Sequence, residues 1–288
     1  MKFVDIKNDI AFRKIFGNEN KKEILISFLN AVLELPNGKL IKTIEIKNPY
    51  QLPEIKNLKS SILDVRVTDE REISYIVEMQ VEEPDGFDKR VQYYTAKQYA
   101  AQIDVGADYP KLNQVIFIGI LNFNFFEGDD YLTRHLIINQ KNGKQELYDL
   151  EFNFIELPKF KEDKIKIETL IEKWTYFIKK APNLEVIPAN VNDEGLKHAY
   201  EDAEKHNWTK EELFAYDYAS MRKQDESSKT KRAVEKAVEK AVEKAIDNKT
   251  NEIAIKCIEK GMNNSDITEI TLLSENDIEN LRKNLKNK

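Results

Sequence analysis

Two acidic residues stand among apolar neighbours in the stretch SILDVRVTDEREISYIVEMQV, which covers residues 61–81. Asp64 and Glu78 are each flanked on both sides by an apolar side chain. The alternation around them predicts two strands joined by a turn in the charged segment TDERE. If this hairpin is centred on Arg71, Asp64 and Glu78 face each other directly across the two strands.

Two carboxylates that face each other across a strand pair repel one another, and burial raises that cost. Either one acid is protonated or a cation lies between them. Carboxylates with a nearby carbonyl or amide oxygen suit Mg²⁺, which keeps several waters and is shared with substrate phosphate. Such an ion neutralises charge on a phosphate and lowers the pKa of a bound water. The alternative is a solvated sheet face on which Arg66 pairs with one of the acids.

The segments around the hairpin predict the elements of an α/β fold. Apolar residues at helical spacing before the hairpin indicate two helices separated at Gly17-Asn18. A further helix follows the hairpin and closes at Gly106. Strands are predicted in the segments 41–50 (ended by Asn48-Pro49), 112–126, 131–139 and 146–160. This order predicts a mixed sheet flanked by helices.

The rest of the chain has helical patterns, and the whole chain is therefore predicted to have three regions. We expect a sheet-containing core at residues 1–160, a helical extension packed on it at 161–225, and a helical tail at 226–288. The tail begins with the repeat AVEKAVEKAVEKAIDNK, which favours a long solvated helix with the option of pairing with itself. Two short helices around LLSEN follow, and they are only weakly similar to half of a helix-turn-helix.

Composition excludes several classes of protein. The single cysteine, Cys257, rules out a disulfide framework, and the three histidines show no zinc-binding spacing. There is no Gly-rich phosphate loop, so no nucleotide cofactor is expected. Because the sequence shows neither a signal peptide nor an apolar run near the ~18 residues of a membrane span, we expect a soluble, cytoplasmic protein without a membrane partner.

The charge of the chain is unevenly distributed. The net charge is −6, and residues 222–288 hold 15 Lys/Arg and 13 Asp/Glu, so the residues before them carry −8. An acidic body argues against a broad, charge-driven attraction to nucleic acid. Any contact with DNA therefore has to be made at a local site.

The acids of the hairpin also carry a resemblance to a known family. Asp64, a gap of 13 residues, and then Glu78-Met79-Gln80 is similar to the D…(D/E)-x-K signature of the PD-(D/E)XK nuclease superfamily. The blocks NDIAFRKIFG, LDVRVTDEREISYIVEMQ, RVQYYTAKQYAAQIDVGADYPKLNQVIFIGILNF and IELPKF resemble, in order, one bacterial branch of it, the recombination-promoting nuclease/transposase family. The likeness covers roughly residues 5–225.

The resemblance implies a restriction-endonuclease-like core and a DNA endonuclease that depends on a divalent ion and is linked to recombination or mobile elements. Asp64 and Glu78 would hold Mg²⁺ or Mn²⁺, and an acid of the first helix, Asp9, would be a third ligand. For Asp9 the alternative is an acid favoured by the helix dipole. Gln80 stands where the superfamily signature has Lys, and an amide cannot supply the positive charge of a lysine.

The helix after the hairpin offers candidate contacts to DNA. Arg90 and Lys97 would meet phosphates beside the metal, and Tyr94 would form a hydrogen bond within the site. The alternative for the tyrosines of this helix is packing under the sheet with the hydroxyl groups at its rim.

Three functions follow from these patterns. The leading hypothesis is a metal-dependent endonuclease in which water attacks a DNA phosphodiester at Asp64, Glu78 and Gln80, with a homo-oligomer formed through the C-terminal helix. The first alternative is a catalytically degenerate member that binds DNA or regulates. The second is an interaction protein whose function lies in the repeat helix and the helices that follow it.

Overall fold

The protein is described here by a computed structural model, which covers residues 2–47, 50–51, 61–62, 64–103, 108–161 and 166–286. The chain divides into two compact units, Met1–Ser220 and Met221–Lys288. The first unit contains the sheet and the predicted site. The second contains the AVEK repeat and the helices that follow it.

A mixed sheet of six strands forms the centre of the first unit. The six strands are β1 (Ile44–Ile46), β4 (Val65–Asp69), β5 (Ser74–Gln80), β6 (Val115–Leu121), β7 (Leu132–Leu136) and β8 (Leu150–Glu156). Their order across the sheet is β1-β4-β5-β6-β8-β7. The pairs β5–β6 and β6–β8 are parallel, and the pairs β1–β4, β4–β5 and β7–β8 are antiparallel. A separate pair is formed by β2 (Tyr50–Gln51) and β3 (Ser61–Ile62). The mixed sheet flanked by helices confirms the predicted fold class.

Helices cover the sheet and follow it along the chain. They are α1 (Asp9–Phe16), α2 (Lys22–Leu33), α3 (Phe87–Ala100), α4 (Leu170–Lys180), α5 (Glu194–Ala203), α6 (Lys210–Glu259), α7 (Asn264–Thr271) and α8 (Glu275–Lys286). The break predicted at Gly17-Asn18 is confirmed, since α1 ends there. The helix after the hairpin ends at Ala100, earlier than predicted, and Gly106 lies outside the described residues, as do Asn48-Pro49.

Both ends of α1 are fixed by local hydrogen bonds. The side chain of Asn8 accepts hydrogen bonds from the main-chain N–H groups of Ile10 and Ala11, and so caps the N-terminus of the helix. At the other end Gly17 donates its N–H to the carbonyl of Arg13, and a Cβ at this position would lie 2.6 Å from that oxygen. The helix that carries Asp9 and Arg13 therefore has a defined start and stop.

The two faces of the sheet are covered by different apolar clusters. Tyr75, Val77 and Met79 of β5 are buried in a large cluster that also contains side chains of α1, α2, α4 and α5. Ile76, on the other face, packs in a second cluster with side chains of α3, β6 and β8. Because strand side chains alternate, Glu78 shares the α3-covered face with Ile76, as the sequence predicts.

The second unit is helical throughout its described part. The AVEK repeat lies within α6, as predicted, and α7 and α8 are the two short helices expected around LLSEN. Ala254, Ile267 and Ile278 form a small buried cluster in this unit. None of the described helices, in either unit, is long and apolar enough to cross a membrane.

Candidate active site

The register of the hairpin determines how its two acids meet. Strands β4 and β5 pair Val65 with Val77 and continue in the same register to the turn, which contains Arg71 as predicted. Asp64 comes directly before β4, at the position that the register sets opposite Glu78. Its Oδ2 accepts a hydrogen bond of 2.9 Å from the main-chain N–H of Met79. The carboxylate is thereby attached to the backbone of the strand that carries Glu78.

Glu78 is the most deeply buried of the predicted site residues, with 1% of its surface exposed. Its Oε2 accepts hydrogen bonds from Arg90 Nη2 and Gln80 Nε2, both at 3.3 Å. Its Oε1 is buried and has no hydrogen-bond partner among the described residues. Burial raises the pKa of Glu78 to about 7, Arg90 opposes this rise, and the negative charge of Asp64 adds to it. The solvated-face alternative therefore does not describe this residue.

Asp64 is partly buried and is held by an arginine that the sequence analysis did not single out. Arg13 of α1 donates from Nη2 and Nε to Asp64 Oδ1, at 3.0 and 3.3 Å. Burial raises the pKa of Asp64, and the hydrogen bonds from Met79 and Arg13 lower it. One signal in the sequence pointed to this residue, since Arg13 lies one helical turn after the candidate acid Asp9.

Asp9 lies exposed in the first turn of α1, where the helix dipole favours an acid. Its negative charge is close enough to raise the pKa of Asp64. However, no group of three or more Asp, Glu, His or Cys side chains within the described ranges is placed to hold a metal ion. The structure thus brings together Asp64 and Glu78, and Asp9 is an electrostatic neighbour of Asp64.

Helix α3 contributes the predicted basic and aromatic residues. Arg90 forms an ion pair with Glu78, and its guanidinium lies 5.4 Å from the centre of the Tyr94 ring. Burial raises the pKa of Tyr94, with a further rise caused by Glu78, so this phenol is also near the site. Lys97 lies half-buried two turns after Arg90 on the same helix. Tyr94 and Tyr99 pack against the cluster under the sheet, as the alternative for the tyrosines of this helix predicts, whereas Tyr93, which that alternative also included, is 40% exposed.

The end of the strand that carries Gln80 is fixed by the neighbouring strands. Gln80, Leu121 and Glu156 lie side by side at the ends of β5, β6 and β8. The carbonyl of Gln80 accepts a hydrogen bond of 2.8 Å from the main-chain N–H of Asn122. Its side chain, as noted above, donates to Glu78. Gln80 is therefore positioned beside the buried acid through both its backbone and its amide.

The donor set of this site fits a hard divalent cation. Two carboxylates from adjacent strands lie within electrostatic reach of each other, and the buried Glu78 Oε1 is left without a partner among the described residues. Mg²⁺ and Mn²⁺ prefer such oxygen ligands and need only one or two carboxylates, because water and phosphate complete the coordination. Asp64 and Glu78 are therefore the residues that would hold the ion.

Comparison with known proteins identifies the family of this chain. A family model described as PD-(D/E)XK nuclease family transposase matches residues 6–233, which is well over half of the chain. Searches of curated proteins and of solved structures each returned no match. The matched region contains the hairpin, α1 and α3, and therefore all the predicted site residues. The chain belongs to the PD-(D/E)XK nuclease family transposases.

Proposed function

We propose that this protein is an endonuclease that hydrolyses DNA phosphodiesters with the help of Mg²⁺ or Mn²⁺. The observation that carries the proposal is the buried Glu78 carboxyl, which has one oxygen without a partner among the described residues and lies beside a second acid. We also propose a cytoplasmic location, where the DNA substrate would lie, and a role linked to recombination or mobile elements.

The argument rests on the cost of placing these acids where they are. Burial disfavours the charged form of a carboxyl group, and a second acid nearby disfavours it further. Replacement of buried charged pairs by apolar residues of similar volume is often neutral or stabilising, so stability alone does not explain why Asp64 and Glu78 stand here. Perturbed acids that lie next to each other are typical of functional sites, and Asp64 and Glu78 are also the acids whose spacing resembles the superfamily signature.

Each residue of the site has a distinct role in the proposed reaction. A divalent cation, when bound, neutralises charge on the phosphate and lowers the pKa of a bound water. Asp64 and Glu78 hold the cation, and Asp9, which forms no three-acid group with them among the described residues, adds negative charge beside Asp64. Gln80 orients the attacking water through its side-chain amide.

Residues of α3 bind the substrate in this proposal. Arg90 is placed beside Glu78 and can donate several hydrogen bonds to a phosphate. Lys97 would contact the DNA backbone further along the helix, and the Tyr94 hydroxyl would contribute a hydrogen bond within the site. These contacts are local, which is consistent with the acidic charge of the body.

The alternative of a degenerate, DNA-binding or regulatory member is favoured by one observation. Gln80 replaces the lysine of the signature, so the site lacks a positive charge next to the attacking water. Arg90 supplies a guanidinium in the same neighbourhood, at 3.3 Å from Glu78 Oε2. We therefore favour an active site with an altered charge arrangement over an inactive one.

Cleavage of supercoiled plasmid tests the proposal. Purified wild-type protein should nick or linearise the plasmid with Mg²⁺ or Mn²⁺ and should leave it intact with chelator. The isosteric variants Asp64→Asn and Glu78→Gln should each lose at least about 100-fold in rate, since each removes a metal ligand. Glu83→Gln, an exposed acid just beyond β5, is the matched control and should cleave like wild type. Equal cleavage by all four proteins would point to a contaminating nuclease and contradict the assignment of the site.

We also propose that the second unit pairs with a second copy of the chain. Val234, Val238, Val242 and Ile246 are each more than half exposed on α6, together with the alanines that precede them. In the AVEK repeat the glutamates flank this stripe on one side and the lysines flank it on the other. Two parallel helices bring opposite flanks together and pair Glu with Lys, whereas antiparallel helices bring like charges together. The charge pattern therefore favours a parallel pair.

A further inference from the structure

Each acid of the candidate site is paired with an arginine from a different helix. Arg13 of α1 holds Asp64, and Arg90 of α3 holds Glu78. The two pairs differ in exposure. The Arg13 side chain is 43% exposed. The Arg90 side chain is 34% exposed and pairs with a Glu78 side chain that is only 2% exposed. Arg13 therefore lies at the mouth of the site.

We propose that Arg13 is the counter-ion of Asp64 in the metal-free protein and that it transfers to a substrate phosphate when the divalent cation binds. This inference rests on the proposed nuclease function and assigns a further positioning and substrate-binding residue to the same site. Arg13 would thus occupy the place of the cation at Asp64 until the cation arrives.

The two oxygens of Asp64 have different partners, and this difference carries the first step. Oδ2 is tied to the main-chain N–H of Met79, a contact set by the backbone of the hairpin. Oδ1 is held only by side-chain atoms of Arg13 in the described part of the chain. A cation that binds Asp64 meets the guanidinium at Oδ1, and the two positive charges repel each other. The side chain of Arg13 is the partner that can move.

The surroundings of the two arginines explain why Arg13, and not Arg90, is the mobile one. The guanidinium of Arg90 packs on the ring of Tyr94, and its Nε is buried. The Arg13 side chain is 43% exposed, against 12% for Asp64, so its guanidinium can turn into solvent without any movement of the hairpin. A guanidinium released at the rim has a fork of donors that matches a phosphate.

The test compares three variants of the full chain, Arg13→Gln, Arg13→Lys and Lys14→Gln. Lys14 is the matched control, since it is a neighbouring cation of α1 whose ion-pair partner, Glu212, lies outside the site. Calorimetric titration with Mn²⁺ alone measures cation affinity without DNA. Binding of a fluorescent DNA duplex in the presence of Ca²⁺ measures substrate affinity without relying on cleavage.

Arg13→Gln should bind Mn²⁺ about two- to fivefold more tightly than wild type, as expected for removal of an exposed competing charge. The same variant should bind the duplex more weakly. Arg13→Lys should lie between it and wild type in both measurements, and Lys14→Gln should match wild type in Mn²⁺ affinity. This opposite change in the two affinities is not expected of a residue that only supports the fold, whose loss would weaken both.

Unchanged or weaker Mn²⁺ binding by Arg13→Gln, with a circular dichroism spectrum like that of wild type, would overturn the inference and leave the proposed nuclease standing. If wild type bound no Mn²⁺ even with duplex present, the nuclease proposal and this inference would both fail. If Arg13→Gln did not fold, Arg13→Lys would take its place, since lysine keeps the positive charge but lacks the planar fork of donors. Duplex affinity equal to that of wild type in Arg13→Lys would then contradict the phosphate contact.

Discussion

Oδ2 of Asp64 accepts a hydrogen bond of 2.9 Å from the main-chain N–H of Met79, the residue that follows Glu78. The bond fixes the acid that precedes one strand to the backbone of the next strand. The position of the Asp64 carboxylate is therefore set by the strand register as well as by its own side chain. A site built on strands is placed more precisely than one built on loops, which suits the binding of a cation.

The raised pKa of Glu78 predicts a pH dependence of stability in the absence of metal. Its pKa is about 7 in the folded protein, against 4.5 for an ordinary Glu, so the folded state binds a proton that the unfolded state has released between these values. The free energy of unfolding therefore falls as the pH rises from about 4.5 through 7, and Glu78→Gln removes this loss. The difference in free energy of unfolding between Glu78→Gln and wild type should therefore be about 3 kcal/mol more favourable to the variant at pH 8, with chelator present, than at pH 4.

Urea unfolding followed by circular dichroism at several pH values measures this difference. The comparison of pH values isolates the titration, because hydrogen bonds changed by the substitution contribute at every pH. Glu83→Gln, which alters an exposed acid, should follow the wild-type curve. Parallel curves for wild type and Glu78→Gln would show that Glu78 titrates alike in the folded and unfolded states and would contradict its raised pKa.

The departure from the family signature predicts the effect of restoring lysine. In Gln80→Lys an ammonium group takes the place of the amide that donates to Glu78 Oε2 at 3.3 Å. It would favour the ionised carboxylate and supply the missing positive charge, so plasmid cleavage at neutral pH should rise by up to about 100-fold. Initial cleavage rates at fixed Mg²⁺ give the answer.

Gln92→Lys makes the same chemical change at an exposed position of α3 and serves as the control for added charge. A wild type without cleavage together with an active Gln80→Lys would establish that the chain is degenerate at this one residue. If Gln80→Lys cleaved plasmid no faster than wild type, whether or not wild type is active, Gln80 would not act on the reacting water.

Parts of this site follow from local sequence, and parts do not. The turn at Arg71 and the alternation on both sides of it fix the register, which is why the meeting of Asp64 and Glu78 is predictable. The ion pair between Arg13 and Asp64 joins residues 51 positions apart, and no local pattern encodes it. The same holds for the insertion of β8 between β6 and β7, because strand order is decided by long-range packing.

The close packing opposite Glu78 predicts a sensitive position in β6. Gly119 is the register partner of Glu78, and a Cβ there would lie 2.9 Å from the ring of Phe154 and 3.1 Å from that of Phe117. Gly119→Ala should lower the free energy of unfolding by about 1–3 kcal/mol, because the rings must shift within a packed cluster. Gly38→Ala, where the added Cβ would have no atom within 4 Å, should change it by less than about 0.5 kcal/mol. Thermal or urea unfolding measures the free energy of unfolding of both variants, and equal losses in the two would contradict the tight packing of β6.

The exposed stripe on α6 predicts how the proposed pairing can be broken. Val238→Lys combined with Val242→Lys places two charges in the stripe and should convert a dimer to a monomer in light scattering coupled to gel filtration. Val186→Lys, which alters a valine that is 69% exposed in the first unit, should leave the mass unchanged. A monomeric wild type at every concentration would remove the basis for the pairing.

The orientation of the pair is tested by single cysteines in a Cys257→Ser background. In a parallel pair the same residue of each copy meets along the stripe, so Ala237→Cys and Ala245→Cys should each form a disulfide-linked dimer under mild oxidation. In an antiparallel pair centred between these positions, neither variant alone would cross-link, and a mixture of the two would. The parallel arrangement is expected because it sets the glutamate flank of one helix against the lysine flank of the other. High salt should weaken it, since the flanking pairs are exposed and screened.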